Sequence, residues 1–182
     1  MKQDISEDIQ IPEGIQVTLA NGLFKVKGPK GDCEKTLTLP SIEAKIEGGK
    51  IIFSSKNATL REKKIIMTFI AHLKNLFKGV SEGHTYKLKV CSSHFPMTAV
   101  VKGSQVEVKN FYGEQIPRQI TIPQGVSAKI DGQIIVLEGV NKELVSQTAA
   151  TIEQSTKRPG FDKRRFQDGI FLIEKDGKSL IR

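Results

Sequence analysis

At 182 residues, 38% hydrophobic and 26% charged, the chain has the composition of a globular protein with a core, not that of a disordered or membrane-embedded one. Lys plus Arg number 28 against 20 Asp plus Glu, and the resulting net charge of +8, with a pI near 9.5, gives a field that favours polyanions. The low aromatic share, with no Trp, points to cores of Ile, Val and Leu.

The first segment, Met1 to Gly14, carries Asp4, Glu7, Asp8 and Glu13 and lacks the basic flank and apolar run of a signal peptide. Gln16-Val17-Thr18-Leu19 and Phe24-Lys25-Val26-Lys27 alternate around Asn21-Gly22, the dipeptide that suits the positive φ angles of a tight hairpin turn. Gly28-Pro29-Lys30-Gly31 lacks the GK[ST] ending of a phosphate loop and the flanking helices of a KH domain, so it reads as a turn, with Lys30 kept as a candidate phosphate contact. Further strands are expected over Glu34 to Leu39, Glu43 to Glu47 and Lys50 to Ser54. Thr59 and Glu62 then form a capping pair. Ile65, Ile66, Phe69, Ile70, Leu73 and Phe77 follow at helical spacing until Gly79, where the helix is expected to stop.

The second half repeats the plan. Leu37-Thr38-Leu39-Pro40 echoes Ile120-Thr121-Ile122-Pro123, and Ala44-Lys45-Ile46-Glu47-Gly48 echoes Ala128-Lys129-Ile130-Asp131-Gly132. Ile51-Ile52-Phe53 then corresponds to Ile134-Ile135-Val136, while Phe24 to Lys27 and Gly31 correspond to Val106 to Lys109 and Gly113. Strands are expected around Tyr86 to Val90, Met97 to Val101, Gln105 to Lys109, Arg118 to Ile122, Ala128 to Ile130 and Ile134 to Leu137. A helix should begin after Asn141, bury Leu144, Val145, Thr148, Ala149 and Ile152, and end before Pro159-Gly160. Ile170 to Ile173 reads as a last strand, with Glu174 to Arg182 as a polar tail. The fold class is therefore α+β: two tandem duplicated domains, 1–80 and 84–182, each a mostly antiparallel sheet packed against one amphipathic helix, with a boundary near Gly79 to Gly83.

No catalytic centre can be nominated, because nothing puts a nucleophile beside a base, pairs carboxylates or clusters metal ligands. His72, His84 and His94 are scattered and read as structural; no metal or cofactor is expected. Cys33 and Cys91, without CxxC spacing, read as reduced core thiols of a cytoplasmic protein. No run of about 18 apolar residues suggests a membrane span.

One segment stands apart. From Lys157 to Arg165 five basic residues (Lys157, Arg158, Lys163, Arg164, Arg165) meet one acidic residue, so 5 − 1 = +4 of the chain's +8 falls within it. Pro159 and Gly160 make it an extended loop in which the basic side chains reach phosphates, while Phe161 or Phe166 stacks on a base or anchors the loop. An acidic protein partner bound by a tandem-domain module is the alternative, but acidic proteins are usually met by a broader face than one Arg-containing loop with flanking aromatics.

Six strings give the chain a resemblance: Ile11-Pro12-Glu13-Gly14, Val26-Lys27-Gly28-Pro29-Lys30-Gly31, Gly79-Val80-Ser81-Glu82-Gly83, Tyr86-Lys87-Leu88-Lys89-Val90, Ser93-His94-Phe95-Pro96 and Arg165-Phe166-Gln167-Asp168-Gly169-Ile170. In this order they resemble the large-subunit ribosomal protein six family, in its archaeal and eukaryotic style, over nearly the whole chain. The bacterial branch usually carries a glycine- and lysine-rich run with a Tyr where this chain has Lys163 to Gly169. The resemblance implies a ribonucleoprotein component whose second domain docks on large-subunit rRNA near the sarcin-ricin loop and stalk base, beside neighbouring ribosomal proteins and where translational GTPases bind. It passes the RNA-contact role to Lys157 through Gly169, including Asp168 and Gly169, and to Ser93, His94 and Phe95 in the loop ending at Pro96.

Overall fold

The computed structural model describes residues 3–162 and 164–180, in two compact units, Met1–Gly83 and His84–Arg182. The first unit runs β1 (Gln3–Gln10), β2 (Gln16–Ala20), β3 (Leu23–Gly28), β4 (Gly31–Thr36), β5 (Glu43–Glu47), β6 (Lys50–Ala58) and α1 (Leu60–Ser81). Its strands form two antiparallel sheets in the orders β1-β6-β5 and β2-β3-β4. Asn21 and Gly22, at φ +49° and +77°, make the two-residue turn between β2 and β3 that only such residues adopt without strain. The alternation of β3 and β6 buries Phe24, Val26, Ile51 and Phe53 against Ile66, Ile70 and Leu73 of α1, the Phe24 and Phe53 rings 5.9 Å apart.

The helix starts where its capping pair predicts: the Thr59 hydroxyl accepts from the Arg61 amide, and the Thr59 amide donates to Glu62 at 2.8 Å. It does not stop at Gly79. It passes through that buried glycine to Ser81, and Gly83, at φ +80°, ends it by donating its amide to the Lys78 and Gly79 carbonyls.

The second unit runs β7 (His84–Cys91), β8 (Thr98–Lys102), β9 (Gln105–Lys109), a 3₁₀ turn (Phe111–Gly113), β10 (Arg118–Thr121), β11 (Val126–Asp131), β12 (Ile134–Gly139), α2 (Lys142–Ser155), β13 (Gly169–Lys175) and β14 (Lys178–Ser179). The sheets are β10-β9-β8 and β11-β12-β7-β13-β14. Substituting β7 to β12 for β1 to β6 reproduces both sheet orders of the first unit, so the duplication extends from sequence to topology. Asn141 caps α2 by accepting from the Glu143 amide at 2.9 Å. Val145, Thr148, Ala149 and Ile152 are buried as expected; Leu144 stays 37% exposed.

The ladders correct the sequence echo in two places. Ile51 pairs with Ile46 and Ile135 with Ile130, which makes Ile51 the counterpart of Ile135 rather than Ile134. A one-residue slip would put the apolar set on the wrong face, and Ile51, Phe53, Ile135 and Leu137 are the buried ones. Likewise the Leu37 and Ile122 amides donate to Gly22 and Ser104 at equivalent ladder positions, a two-residue shift from the echo that leaves the facing unchanged. A third expectation also fails: beyond Ile173 the chain is no free tail, because β13 continues to Lys175 and turns through Asp176-Gly177 into β14.

Cys33 and Cys91 are half-buried rather than core. His84 is fully buried, its Nδ1 2.8 Å from an Asp176 oxygen. Among the described residues no helix is long and apolar enough to cross a membrane.

Candidate nucleic-acid interface

Residues 156–168 connect α2 to β13, and Thr156 closes the base of this segment. Its hydroxyl accepts from the buried Ile170 amide at 2.9 Å and donates to the Glu153 carbonyl at 3.1 Å. The result is a compact loop with its two ends pinned together. Within it Asp162, the one acid among the basic residues, shapes a turn: a side-chain oxygen accepts from the Arg164 amide at 2.9 Å, and its carbonyl accepts from the Arg165 and Phe166 amides. Arg164 and Arg165 are thereby held on the exposed side, and Lys157 is exposed where α2 ends. Lys163 lies outside the described residues.

The loop's aromatic side turns inward onto the second unit. Phe166 stacks on His94, the ring centroids 5.0 Å apart and 24° from coplanar, and meets Phe161 edge-on at 4.9 Å. Tyr112 lies 6.0 Å from Phe161 and 6.2 Å from Phe166. The Arg158 guanidinium covers two of these rings, 4.1 Å above Phe161 and 4.9 Å from Tyr112. Arg158 is thus an exposed cation stacked on rings, whereas Arg164 and Arg165 are exposed without a ring contact among the described residues.

Asp168 holds the opposite wall. Its side chain, only 3% exposed, accepts from the amides of Ser93 and His94, from the Ser93 hydroxyl at 3.2 Å and from His94 Nδ1 at 2.7 Å. Burial pushes this carboxyl up, but the Ser93 and His94 amides and side chains outweigh it and hold it below its ordinary 3.8. Asp168 therefore sits beneath the surface, fastening the Ser93 to Pro96 loop to the basic loop, while Phe95 remains 45% exposed. The buried Gly169 follows, opposite Cys91.

Ser93, His94 and Asp168 have the composition of a hydrolytic triad without its geometry. The serine hydroxyl, at 3.1 Å, and the carboxylate approach the same ring nitrogen, Nδ1, whereas a triad needs the serine at Nε2 and the carboxylate at Nδ1.

Sequence reasoning missed the third wall. Asn110 and Tyr112 adopt left-handed backbone, φ +59° and +50°, around buried Phe111. A bulky residue in that region marks a constrained site. Asn110 Nδ2 donates to the Pro96 carbonyl at 3.2 Å, and Phe95 packs beside Gly113. Burial and the Asp168 charge raise the Tyr112 phenol, with Arg158 opposing. Arg118 lies 4.3 Å over the Phe111 ring and hydrogen-bonds Glu114 at 2.7 Å, holding the Glu114 carboxyl below its usual range against a smaller effect of burial. The only sequence signal for this wall is the Asn110 to Gly113 string, two left-handed formers bracketing two aromatics.

A family model described as ribosomal protein L6 matches residues 11–83 and, a second time, residues 95–169. The chain belongs to the ribosomal protein L6 family. Its curated relatives include three archaeal proteins, each called large ribosomal subunit protein uL6. That of Methanosarcina mazei is 42% identical over 175 residues, covering 96% of this chain and 99% of the relative. The Methanococcus vannielii protein is 41% identical, covering 97% of each chain, and the Saccharolobus solfataricus protein 39%, covering 94% and 96%. This is the family, and the archaeal style, that the six strings resemble. As an L6-family chain it is a ribosomal protein, and the two matched blocks fall one in each structural unit. The basic loop and the aromatic walls belong to the second block, except Ser93 and His94, which immediately precede it.

Proposed function

We propose that the chain is a structural, non-catalytic constituent of the large ribosomal subunit that grips large-subunit rRNA mainly through its second domain, residues 84–182. The carrying observation is the convergence of Lys157–Gly169, Ser93–Pro96 and Phe111–Gly113 on one surface, with Arg164 and Arg165 exposed at its edge and an aromatic cluster at its centre. Exposed cations supply phosphate attraction, and aromatic faces with a stacked guanidinium suit unpaired bases. An acidic protein would satisfy the cations, but the partly exposed rings of Phe95 and Phe161 beside them suit bases, which favours RNA.

Within the subunit the reading places this surface near the sarcin-ricin loop and the stalk base, next to neighbouring ribosomal proteins and where translational GTPases bind. The first domain, residues 1–80, contributes little to that contact in this reading. Sedimentation of a cell extract tests the assignment: the chain should travel with large subunits and return to the soluble fraction at high salt. Quantitative recovery in the soluble fraction at low salt would overturn it.

A further inference from the structure

The five-stranded sheet of the second unit buries one face beneath α2, where Leu88, Ile135, Leu137 and Ile170 pack against Val145, Ala149 and Ile152. Its other face carries a row across three strands: Phe171 of β13 is directly opposite Lys89 of β7, which is directly opposite Ile134 of β12. Cross-strand partners point to the same side. Phe171 is 43% exposed, whereas Ile170 beside it is fully buried on the α2 side.

The charges on this bare face mostly cancel. Lys87 pairs with Glu174 at 3.1 Å, and Lys129 lies 3.8 Å from Glu138. Lys89, next to the exposed ring, has no ion pair among the described residues. Gly169, two residues before Phe171, faces the same way and ends the basic loop. A Cβ on Gly169 would lie 3.3 Å from the Phe171 ring, so the absence of a side chain lets that ring rest against the strand where the loop arrives. Among the described residues the first unit has no strand in the place of β13, so this ring is a feature of the second unit alone.

We propose that Phe171 and Lys89 form a stacking site for one unpaired nucleobase of the RNA, the ring lying against the base and the ammonium meeting the adjoining phosphate. The site continues the loop interface onto the open sheet and rests on the rRNA-binding reading above. Base stacking on an aromatic is indifferent to sequence and to salt, whereas the lysine contact follows counterion release. The two halves of the site therefore have separable signatures.

The chain contains no Trp, so Phe171→Trp in the full-length protein installs a single indole at the proposed contact. Binding of a labelled large-subunit rRNA fragment is followed by anisotropy, and indole emission is recorded in the same titration. Phe171→Trp should bind within about 3-fold of wild type and be quenched in step with binding. Phe171→Ala should weaken binding roughly 5- to 100-fold with an unchanged salt slope, and Lys89→Ala should flatten that slope by about 0.7 to 0.9. Indole emission unmoved at saturating RNA, or wild-type affinity for Phe171→Ala, would overturn the proposal; a protein seated on this face would give that same result. Failure of the wild-type chain to bind the fragment would instead strike at the parent reading, and the anisotropy arm separates the two.

Discussion

The Asp168 carboxylate and the His94 ring, 74 residues apart in sequence, meet at 2.7 Å, and the same carboxylate also takes the His94 amide at 3.0 Å. One buried acid thus fixes both the backbone and the ring of a loop that would otherwise be free to move. Asp168→Ala should leave the Ser93 and His94 amides without their acceptor and cost about 1.5–3 kcal/mol, the range for hydrogen bonds to a charged group. Chemical denaturation should show the loss, and RNA affinity should fall although no cation has been removed. Unchanged stability and affinity together would deny Asp168 this positioning role.

The same carboxylate sets a pH dependence. Its folded pKa lies below its ordinary value, so the unfolded chain binds the proton more readily, and the group contributes stability that is present above about pH 4 and is lost as pH falls through the folded value. Acid titration of wild type against Asp168→Asn should show a steeper fall in wild-type stability below about pH 4 than in the variant. Parallel curves would count against the shift.

Much of the fold was legible because it rests on local rules. Asn21-Gly22, the Thr59 and Glu62 pair and Asn141 each encode a turn or cap within a few residues, and each forms as read. The misreadings came where a local signal met a tertiary one. Gly79 looks like a helix stop, but the helix continues because Gly83, four residues later, supplies the left-handed cap. Asp176-Gly177 carried as plain a hairpin signal as Asn21-Gly22, yet short polar flanks hid it within an apparent tail.

The site was legible in parts but not as a unit. Charge density marked the Lys157 to Arg165 loop, and resemblance added Ser93 to Phe95; neither indicated that Phe166 would stack on His94 or that Asp168 would join the two loops. Those are contacts across tens of residues, invisible to periodicity. Tyr112 was missed for a different reason: its role depends on a left-handed backbone that its residue type does not advertise.

Thr156 should matter more than a surface threonine. Thr156→Val keeps the volume but removes the oxygen that receives the buried Ile170 amide, an unsatisfied donor costing about 1–3 kcal/mol. Hydrogen exchange should show the Ile170 amide losing protection ahead of its strand neighbours. Retained protection would mean that another acceptor replaces the hydroxyl.

Close approach should make Gly139 intolerant of any side chain. A Cβ there would lie 2.7 Å from both the Gly125 carbonyl oxygen and a Val145 methyl carbon, where β12 passes beneath the first turn of α2. Gly139→Ala should lower stability by about 1–3 kcal/mol through overpacking. Gly132→Ala, at a turn with open space around it, separates the strain of a positive φ from crowding. A smaller loss at Gly139 than at Gly132 would contradict the packing account.

The basic loop gives the sharpest test of the RNA reading. Arg164 and Arg165 are exposed and no ion pair engages them among the described residues, so their charge is available to phosphates. Each phosphate contact contributes about 0.7 to 0.9 to the slope of log affinity against log salt, so replacing Lys163, Arg164 and Arg165 together by Ala should flatten it by roughly two units. The fold should persist, because Thr156, Asp162 and Asp168 hold the loop through groups that these substitutions leave in place. Full-length wild type and the triple variant would be titrated with a large-subunit rRNA fragment across a salt series, with circular dichroism confirming that both are folded. An unchanged slope would remove these side chains from the interface. An equal loss after replacing Lys25, Lys27 and Lys30 would show that the positive charge acts diffusely, because those lysines belong to the first unit and Lys30 already hydrogen-bonds the Glu82 carbonyl at the end of α1.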